Sequence, residues 1–180
     1  MDIDGELKYV ASEFAKEIQK AESQSNNEAE LRTRLTQLIK NSANRFGLGP
    51  EFYPKEEYTL IHGRADAVYN RLIIEYEPPR SLRQDNRYKA NQHAINQAKG
   101  YIDEIAVKER HKSERLAGIV IDGCYFIFIR KKEGNWHVEP ALQVNENSTE
   151  RFLKFLYSIS TEKALIPENL VKDFGENTDV

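Results

Sequence analysis

The sequence predicts an α/β fold in which helices flank a mixed β-sheet. Apolar residues recur at helical spacing in four segments of the chain. Between these segments lie short runs rich in β-branched and aromatic residues, which are typical of strands. The resulting order is helix, strands, helix, strands, helix. At 180 residues the chain has the length of one ordinary domain with a hydrophobic core.

Two amphipathic helices open the chain. The first is predicted over about residues 4 to 22 from the spacing of Leu7, Val10, Phe14 and Ile18. Asn27 is the predicted N-cap of the second helix. That helix carries an apolar stripe and ends near "GLGP", and the stripe consists of Leu31, Leu35, Leu38, Ile39, Ala43 and Phe46.

The middle of the chain predicts two strands and a long helix. The strands are "YTLIHGRADAVY" and "RLIIEYE", joined at Asn70-Arg71, and "PPR" ends the second one. A helix follows over about residues 84 to 108. Its predicted apolar face consists of Tyr88, Ile95, Ala98, Tyr101, Ile102 and Ile105.

The last third predicts a β-hairpin, a further strand and a helix. "LAGIVIDGCYFIFIRKK" holds two apolar runs split by Asp122-Gly123, a dipeptide that favours a type I′ turn. "WHVEPALQV" is the next predicted strand, after a turn at "EGN". The last helix is predicted over about residues 148 to 158, with Ser148 as its cap.

Composition excludes several classes of protein. The formal net charge of −3 points to neither a nucleic acid nor a membrane as a partner. A single cysteine, Cys124, excludes a disulfide framework and fits a reducing compartment. The acidic start is unlike a signal peptide, and the longest apolar stretch is too broken to span a membrane. We therefore expect a cytoplasmic protein. The four histidines, His62, His93, His111 and His137, show no metal-ligand spacing.

Three acids stand among apolar strand residues in "GRADAVYNRLIIEYEPP". A two-residue loop at Asn70-Arg71 would pair Asp66 directly with Glu75, with side chains roughly 5 Å apart. Strand alternation then predicts one face with Arg64, Asp66, Glu75 and Glu77, and an opposite face with Ala65, Ala67, Leu72, Ile74 and Tyr76. Opposed carboxylates need a proton, a cation or a metal between them, and Mg²⁺ prefers such oxygen ligands.

The acids follow a pattern in which a helix carries Glu28, Asp66 follows on a strand, and Glu75-Tyr76-Glu77 comes after eight further residues. This pattern resembles the PD-(D/E)XK nuclease superfamily. "QAKGY", Gln97 to Tyr101, resembles the Gln-x-x-x-Tyr motif of some members. "GRADAVYNRLIIEYEPPRSL" and "NEAELRTRL" are similar to the N-terminal nuclease-like region of restriction-modification proteins fused to adenine methyltransferases. The resemblance covers residues 27 to 175. It implies a restriction-endonuclease-like core of a helix, three strands, a helix and a further strand.

The resemblance also implies an activity, which is Mg²⁺-dependent hydrolysis of DNA in a prokaryotic restriction-modification or defence system, with Mn²⁺ as a substitute. Asp66, Glu75 and the carbonyl of Tyr76 would be the metal ligands. Glu28 would complete that shell, and Gln97 and Tyr101 would hold the ligands or contact the scissile strand. Cleavage of both DNA strands would need two active sites, for example in a homodimer.

Glu77 departs from the pattern, because the superfamily usually has lysine there. Three alternatives stay open. Glu77 itself works in catalysis, or Lys99 or Lys89 of the following helix supplies the lysine, or the domain is catalytically silent and binds DNA or a partner domain. Glu77 could also form a cross-strand ion pair with Arg64, and Glu28 could pair with Arg32 at i+4.

The stretch from Arg80 to Lys99 holds five basic residues and one acid. Beside an acidic metal site it would hold phosphates, which makes DNA-binding candidates of Arg80, Arg83, Arg87 and Lys89. The alternative is an ordinary solvated face.

The domain organisation follows from these elements. We expect an N-terminal helix over 1–26, a nuclease-like core over 27–160 and a tail over 161–180. The tail groups the apolar residues Leu165, Ile166, Leu170, Val171 and Phe174 and is similar to the linker before the methyltransferase region. It therefore predicts a longer polypeptide, with methyltransferase and specificity modules as partners.

Overall fold

A computed structural model describes residues 3–45, 54–60, 63–69 and 71–160. The helices are α1 (Ile3–Ser23), α2 (Glu28–Arg45), α3 (Lys89–Lys108) and α4 (Glu146–Ser160), with a short 3₁₀ turn at Ser113–Arg115. The strands are β1 (Lys55–Leu60), β2 (Gly63–Tyr69), β3 (Leu72–Tyr76), β4 (Ala117–Ile121), β5 (Tyr125–Lys132), β6 (Asn135–Val138) and β7 (Leu142–Gln143).

The strands form one mixed sheet in the order β1-β2-β3-β4-β5-β6, and β7 extends it by pairing with β5. The pair β3–β4 is parallel and the other pairs are antiparallel. A parallel pair needs a long crossover connection, and α3 provides it. The prediction of an α/β fold with a mixed sheet flanked by helices is confirmed.

The sheet has a hydrophobic core on each face. On one face α1, α2 and α4 pack against the strands, and the ring of Phe152 stacks on those of Phe14 and Phe126, with centroids 6.2 and 5.1 Å apart. On the other face α3 packs through Ala94, Ala98 and Ile102 among others. Strands buried on both faces read as continuous apolar runs, which explains "LIIEY" and "AGIVI".

The predicted strand over residues 58 to 69 is wrong, because this segment is divided between two antiparallel strands. β1 ends at Leu60, which pairs with Gly63 at the start of β2. Gly63 has a φ of +150°, a backbone conformation that residues with a Cβ rarely adopt. Strand-forming residues lie on both sides of Gly63, so composition alone did not separate the two strands.

Helix α3 begins at Lys89, five residues later than predicted. The preceding segment is a loop because side chains bind its backbone. The Arg87 backbone N–H donates to the carboxylate of Asp85, and Asn91 exchanges two hydrogen bonds with the backbone of Arg83. Tyr88 is therefore 48% exposed and does not belong to the apolar face.

The predicted helix caps are half right. The backbone N–H of Glu30 donates to the side chain of Asn27 at 2.9 Å, which confirms that cap. Helix α4 begins earlier than predicted, and its cap is Asn145, whose side chain accepts the backbone N–H of Ser148 at 3.1 Å. Ser148 instead accepts the Asn145 backbone N–H, as in a capping box. Phe46 and the segment "GLGP" lie outside the described residues.

Of the two later turns, the one at Asp122-Gly123 differs from expectation and the one at "EGN" is confirmed. Gly123 has a positive φ but Asp122 does not, so this turn is not type I′. The Asp122 carboxylate instead accepts the backbone N–H groups of Cys124 and Tyr125, at 2.8 Å each. Glu133 and Gly134, in the predicted "EGN" turn, both have positive φ, as type I′ requires.

"WHVEPALQV" forms two short strands, β6 and β7, instead of one. None of the helices within the described ranges is both long and apolar enough to cross a membrane. The predicted tail, 161–180, lies outside those ranges.

Candidate active site

The β2–β3 hairpin has the predicted register. Tyr69 pairs with Leu72 and Ala67 with Ile74, and backbone pairing stops there. Beyond that point two side-chain carboxylates accept backbone N–H groups in place of the backbone carbonyls of the ladder. The backbone N–H of Tyr76 donates to Asp66 Oδ2 at 2.9 Å, and that of Asp66 approaches Glu75 Oε1 at 3.4 Å. The acids at the open end of the hairpin therefore bond to the backbone of the facing strand.

Strand alternation breaks at Asp66. Ala67 packs in the core on the α1, α2 and α4 side, as predicted, but Ala65 packs in the core under α3. The predicted placement of Ala65 on the face of Ala67 is thus wrong, since residues two apart in a regular strand share a face. The irregularity lies where the Asp66 side chain turns toward α2.

Helix α2 brings Glu28 and Arg32 to this end of the sheet. They are one turn apart, and Arg32 Nη1 lies 2.9 Å from Asp66 Oδ1. Burial and the charge of Asp66 raise the pKa of Glu28, while the charge of Arg32 lowers it. Arg32 therefore binds Asp66 as well as acting on Glu28. The sequence had suggested only the second interaction.

Glu75 is 3% exposed and is the fourth residue of a wholly buried strand of five. Burial, followed by the charge of Asp66, raises the pKa of Glu75 to about 9. A group with that pKa holds its proton at neutral pH. While Glu75 is protonated, the two acids avoid a double negative charge.

Glu77 directly follows β3, and its backbone N–H donates to the Ile121 carbonyl at 2.9 Å. Burial raises the pKa of Glu77 to about 7, with further contributions from the charges of Glu28, Asp66 and Asp122. The groups that shift it are acids, and the β2–β3 ladder ends well before Arg64. This favours membership of the acidic group over the cross-strand ion pair with Arg64. We call Glu28, Asp66, Glu75 and Glu77 the carboxylate cluster.

Tyr101 and Gln97 of α3 lie beside the cluster. The Gln97 amide donates to the Tyr101 hydroxyl at 3.0 Å. Burial and the charges of Glu75 and Asp66 raise the pKa of Tyr101, while hydrogen bonds with Gln97 and with the Arg64 backbone lower it. A Cβ at Gly63 would come within 2.7 Å of that hydroxyl. The glycine therefore makes room for Tyr101.

The candidate lysines lie elsewhere. Lys99 Nζ is 5.7 Å from the centre of the Trp136 ring on β6, three positions along the sheet from β3. Lys89 is exposed at the start of α3. The structure does not bring these two lysines to the carboxylate cluster.

The predicted DNA-binding residues lie on or next to the loop between β3 and α3. Arg80 pairs with Glu22 of α1 at 2.6 Å, and Arg87 with Asp85 at 2.8 Å. Arg83 donates to the carbonyls of Arg80 and Leu82 while its guanidinium lies 5.2 Å from the Tyr88 ring centre. Acids thus offset two of the four positive charges.

Asp122 has a structural role at the site, whereas the sequence predicted only that it forms a turn. It is fully buried, and its Oδ2 accepts the Leu82 backbone N–H at 2.9 Å. It therefore fixes the β3–α3 loop to the β4–β5 turn. The sequence signal for this role was an acid between two apolar runs. Such an acid is expected to be buried, and a buried carboxylate needs hydrogen-bond donors from the surrounding backbone.

Carboxylate oxygens of Asp66 and Glu75 are the ligand type that a hard divalent cation prefers. No three His, Cys, Asp or Glu side chains are placed to hold a metal ion together in the ranges that the structure describes. Mg²⁺ commonly uses one or two carboxylates and completes its shell with water and substrate phosphate. Asp66 and Glu75 are thus ligands of the type that Mg²⁺ accepts, but Arg32 binds Asp66 Oδ1 and Glu75 is 3% exposed.

No family model, curated protein or solved structure matches this chain.

Proposed function

We propose that this chain is a Mg²⁺-dependent DNA endonuclease domain of a prokaryotic restriction-modification or defence system. The observation that carries the proposal is the carboxylate cluster, in which burial and the charges of neighbouring acids raise the pKa values of Glu28, Glu75 and Glu77. Strongly perturbed acids at one place are characteristic of functional sites. The order α2, three strands, α3 and β4 agrees with the core that the PD-(D/E)XK resemblance implies.

The residues of the cluster have distinct roles in this proposal. Asp66, Glu75 and the Tyr76 carbonyl would hold the cation, and the Tyr76 backbone N–H fixes the orientation of Asp66. Bound Mg²⁺ would activate water and offset the charge of the phosphate and the leaving oxygen. Glu77, with a pKa of about 7, is able to take a proton from the attacking water near neutral pH. Tyr101, which accepts a hydrogen bond from Gln97, would hold the ligands or contact the scissile strand.

DNA is the proposed substrate, and the β3–α3 loop is its proposed contact surface. This loop leaves β3 directly after Glu77, and carries Arg83 with its guanidinium over Tyr88. Lys89 follows at the start of α3. Further modules of a longer polypeptide would add affinity and recognition of a defined sequence, and a homodimer would supply the second active site for double-strand cleavage.

Plasmid cleavage tests the proposal. Supercoiled DNA is incubated with the protein in Mg²⁺ or Mn²⁺, with and without EDTA, and we expect nicking that EDTA abolishes. Asp66→Asn should reduce the rate at least about a hundredfold, because it removes a cation ligand. Asp103→Asn is the matched control, since Asp103 pairs with Lys131 and Ser113 outside the cluster. Equal loss in both variants, or cleavage that resists EDTA, would refute the proposal.

A catalytically silent module that binds DNA or a partner domain is the second candidate. Three observations favour this second candidate. Arg32 binds Asp66, Glu77 stands where lysine is usual, and Lys99 lies away from the cluster. Substitution of Glu77 separates the two candidates. In an active enzyme Glu77→Ala loses cleavage and Glu77→Lys retains part of it. A wild-type protein without cleavage that gains it in Glu77→Lys is a silent module.

A further inference from the structure

The ion pair between Arg32 and Asp66 places a guanidinium on an oxygen that the proposed cation would use. Arg32 Nη1 lies 2.9 Å from Asp66 Oδ1, and the two side chains are 28% and 13% exposed. This positive charge partly balances the carboxylate cluster. A cation at Asp66 would therefore compete with the Arg32 guanidinium for Oδ1.

The two oxygens of Asp66 are held by different kinds of donor. Oδ2 accepts the backbone N–H of Tyr76, which belongs to the sheet, whereas Oδ1 accepts a long side chain from a helix. Release of Oδ1 would therefore leave the carboxylate in position. Two cations repel each other strongly at this distance in a partly buried site. Arg32 consequently has to leave Oδ1 before that oxygen binds Mg²⁺.

A released Arg32 remains at the site, because α2 fixes its backbone one turn from Glu28. The guanidinium is always charged, and its planar fork matches the oxygens of a phosphate. The site otherwise presents acids, which repel DNA. Glu77 stands where a lysine is usual, so the site lacks that positive charge. Arg32 of α2 would supply a positive charge in its place.

We propose that Arg32 is the phosphate-binding residue of this site, and that its ion pair with Asp66 is exchanged for a substrate phosphodiester when a divalent cation binds. This inference rests on the proposed metal-dependent function. It implies a reciprocal coupling, in which Arg32 weakens cation binding in the absence of DNA, and the cation strengthens DNA binding through Arg32.

The test combines two measurements on wild type, Arg32→Gln and Arg32→Lys. Calorimetry measures the affinity for Mn²⁺, and fluorescence anisotropy measures the affinity for a labelled DNA duplex in EDTA and in Ca²⁺. Arg34→Gln is the control, because Arg34 is two residues away on α2 and donates instead to Gln24 Oε1 at 3.4 Å. Asp66→Asn shows whether Mn²⁺ binds at the cluster.

We expect Arg32→Gln to bind Mn²⁺ about tenfold more tightly than wild type, because a competing charge is gone. It should also lose the gain in DNA affinity that Ca²⁺ gives wild type. Arg32→Lys keeps the charge but not the fork, so its Mn²⁺ affinity should stay near that of wild type while part of the gain in DNA affinity is lost. If circular dichroism shows that Arg32→Gln is unfolded, the measurements on Arg32→Lys decide the test.

Two results would overturn the inference and leave the metal site standing. Either Arg32→Gln binds Mn²⁺ no more tightly than wild type, or it retains the Ca²⁺-dependent gain in DNA affinity. A wild-type protein that binds no Mn²⁺, or whose binding survives Asp66→Asn, would overturn the inference together with the proposed function.

Discussion

Glu75 shows at the scale of one residue how the cluster affects stability. Its pKa is about 9 in the folded protein against an ordinary value of 4.5. Below pH 4.5 both folded and unfolded chains hold the proton, so the shift costs nothing. As the pH rises, the unfolded chain loses its proton first, and the free energy of unfolding falls until the folded protein deprotonates near pH 9.

Glu75→Gln should therefore stabilise the metal-free protein at neutral pH, by on the order of 2 kcal/mol. It should also flatten the fall in stability between pH 5 and pH 8, since the neutral amide cannot release a proton. Urea unfolding at several pH values in EDTA measures both effects. Glu17→Gln, at a half-exposed position of α1, should leave the slope unchanged. Equal slopes in Glu75→Gln and wild type would show that Glu75 is not protonated in the fold.

The sequence was enough to place these acids but not their partners. The two-residue loop and the apolar pattern of the strands determined the register from Tyr69–Leu72 to Ala67–Ile74. Asp66 and Glu75, the next residue on each strand, bond through their side chains to the backbone of the facing strand. The Arg32–Asp66 ion pair joins residues 34 positions apart and depends on how α2 packs on the sheet. Local spacing carries no information on that packing, and it suggested only the i+4 pair with Glu28.

At the scale of elements, the contact between β2 and α3 depends on Gly63. A Cβ there would lie 2.7 Å from the Tyr101 hydroxyl, and the φ of +150° is strained for any other residue. We expect Gly63→Ala to cost about 1–3 kcal/mol of unfolding free energy. In the double variant with Tyr101→Phe the cost should be smaller than the sum of the single costs, because the hydroxyl is gone.

Gly100→Ala is the matched control for thermal unfolding of these variants. Gly100 lies inside α3, and a methyl group there would meet nothing within 4 Å, so alanine should stabilise the helix by about 0.5–1 kcal/mol. Strictly additive effects of Gly63→Ala and Tyr101→Phe would mean that the two elements do not meet through this contact.

Element boundaries were predictable where a local signal exists. Asn27 caps α2, and the prolines after Glu77 end β3, because caps and prolines act within a few residues. The start of α3 was not predictable, since the loop before it is held by the distant Asp122 as well as by Asn91. The division between β1 and β2 was missed because strand-forming residues lie on both sides of Gly63.

In the described part of the chain helices cover both faces of the sheet, and Glu28, Asp66 and Glu77 are partly exposed while Glu75 is buried. The net charge is −3, and Arg80 and Arg87 are paired with acids. We therefore expect the isolated chain to bind DNA weakly, without sequence preference and with strong dependence on salt. Its cleavage should likewise show no defined site.

Salt titration of duplex binding and mapping of the cleaved ends test this expectation. Arg83→Ala should reduce the slope of log affinity against log salt by about one, as expected for one lost phosphate contact. Lys154→Ala, in an ion pair with Glu150 on α4, should leave the slope unchanged. A discrete banding pattern at one repeated sequence would show that this chain recognises DNA by itself.

The central claim is that the end of the β2–β3 hairpin holds a divalent cation. Anomalous diffraction from a crystal soaked in Mn²⁺ tests it most directly, with data collected on both sides of the manganese absorption edge. We predict an anomalous peak within coordination distance of Asp66 and Glu75, with the Arg32 guanidinium displaced from Asp66 Oδ1. Clear density for an unchanged Arg32–Asp66 ion pair, with no anomalous peak at the cluster, would contradict the account.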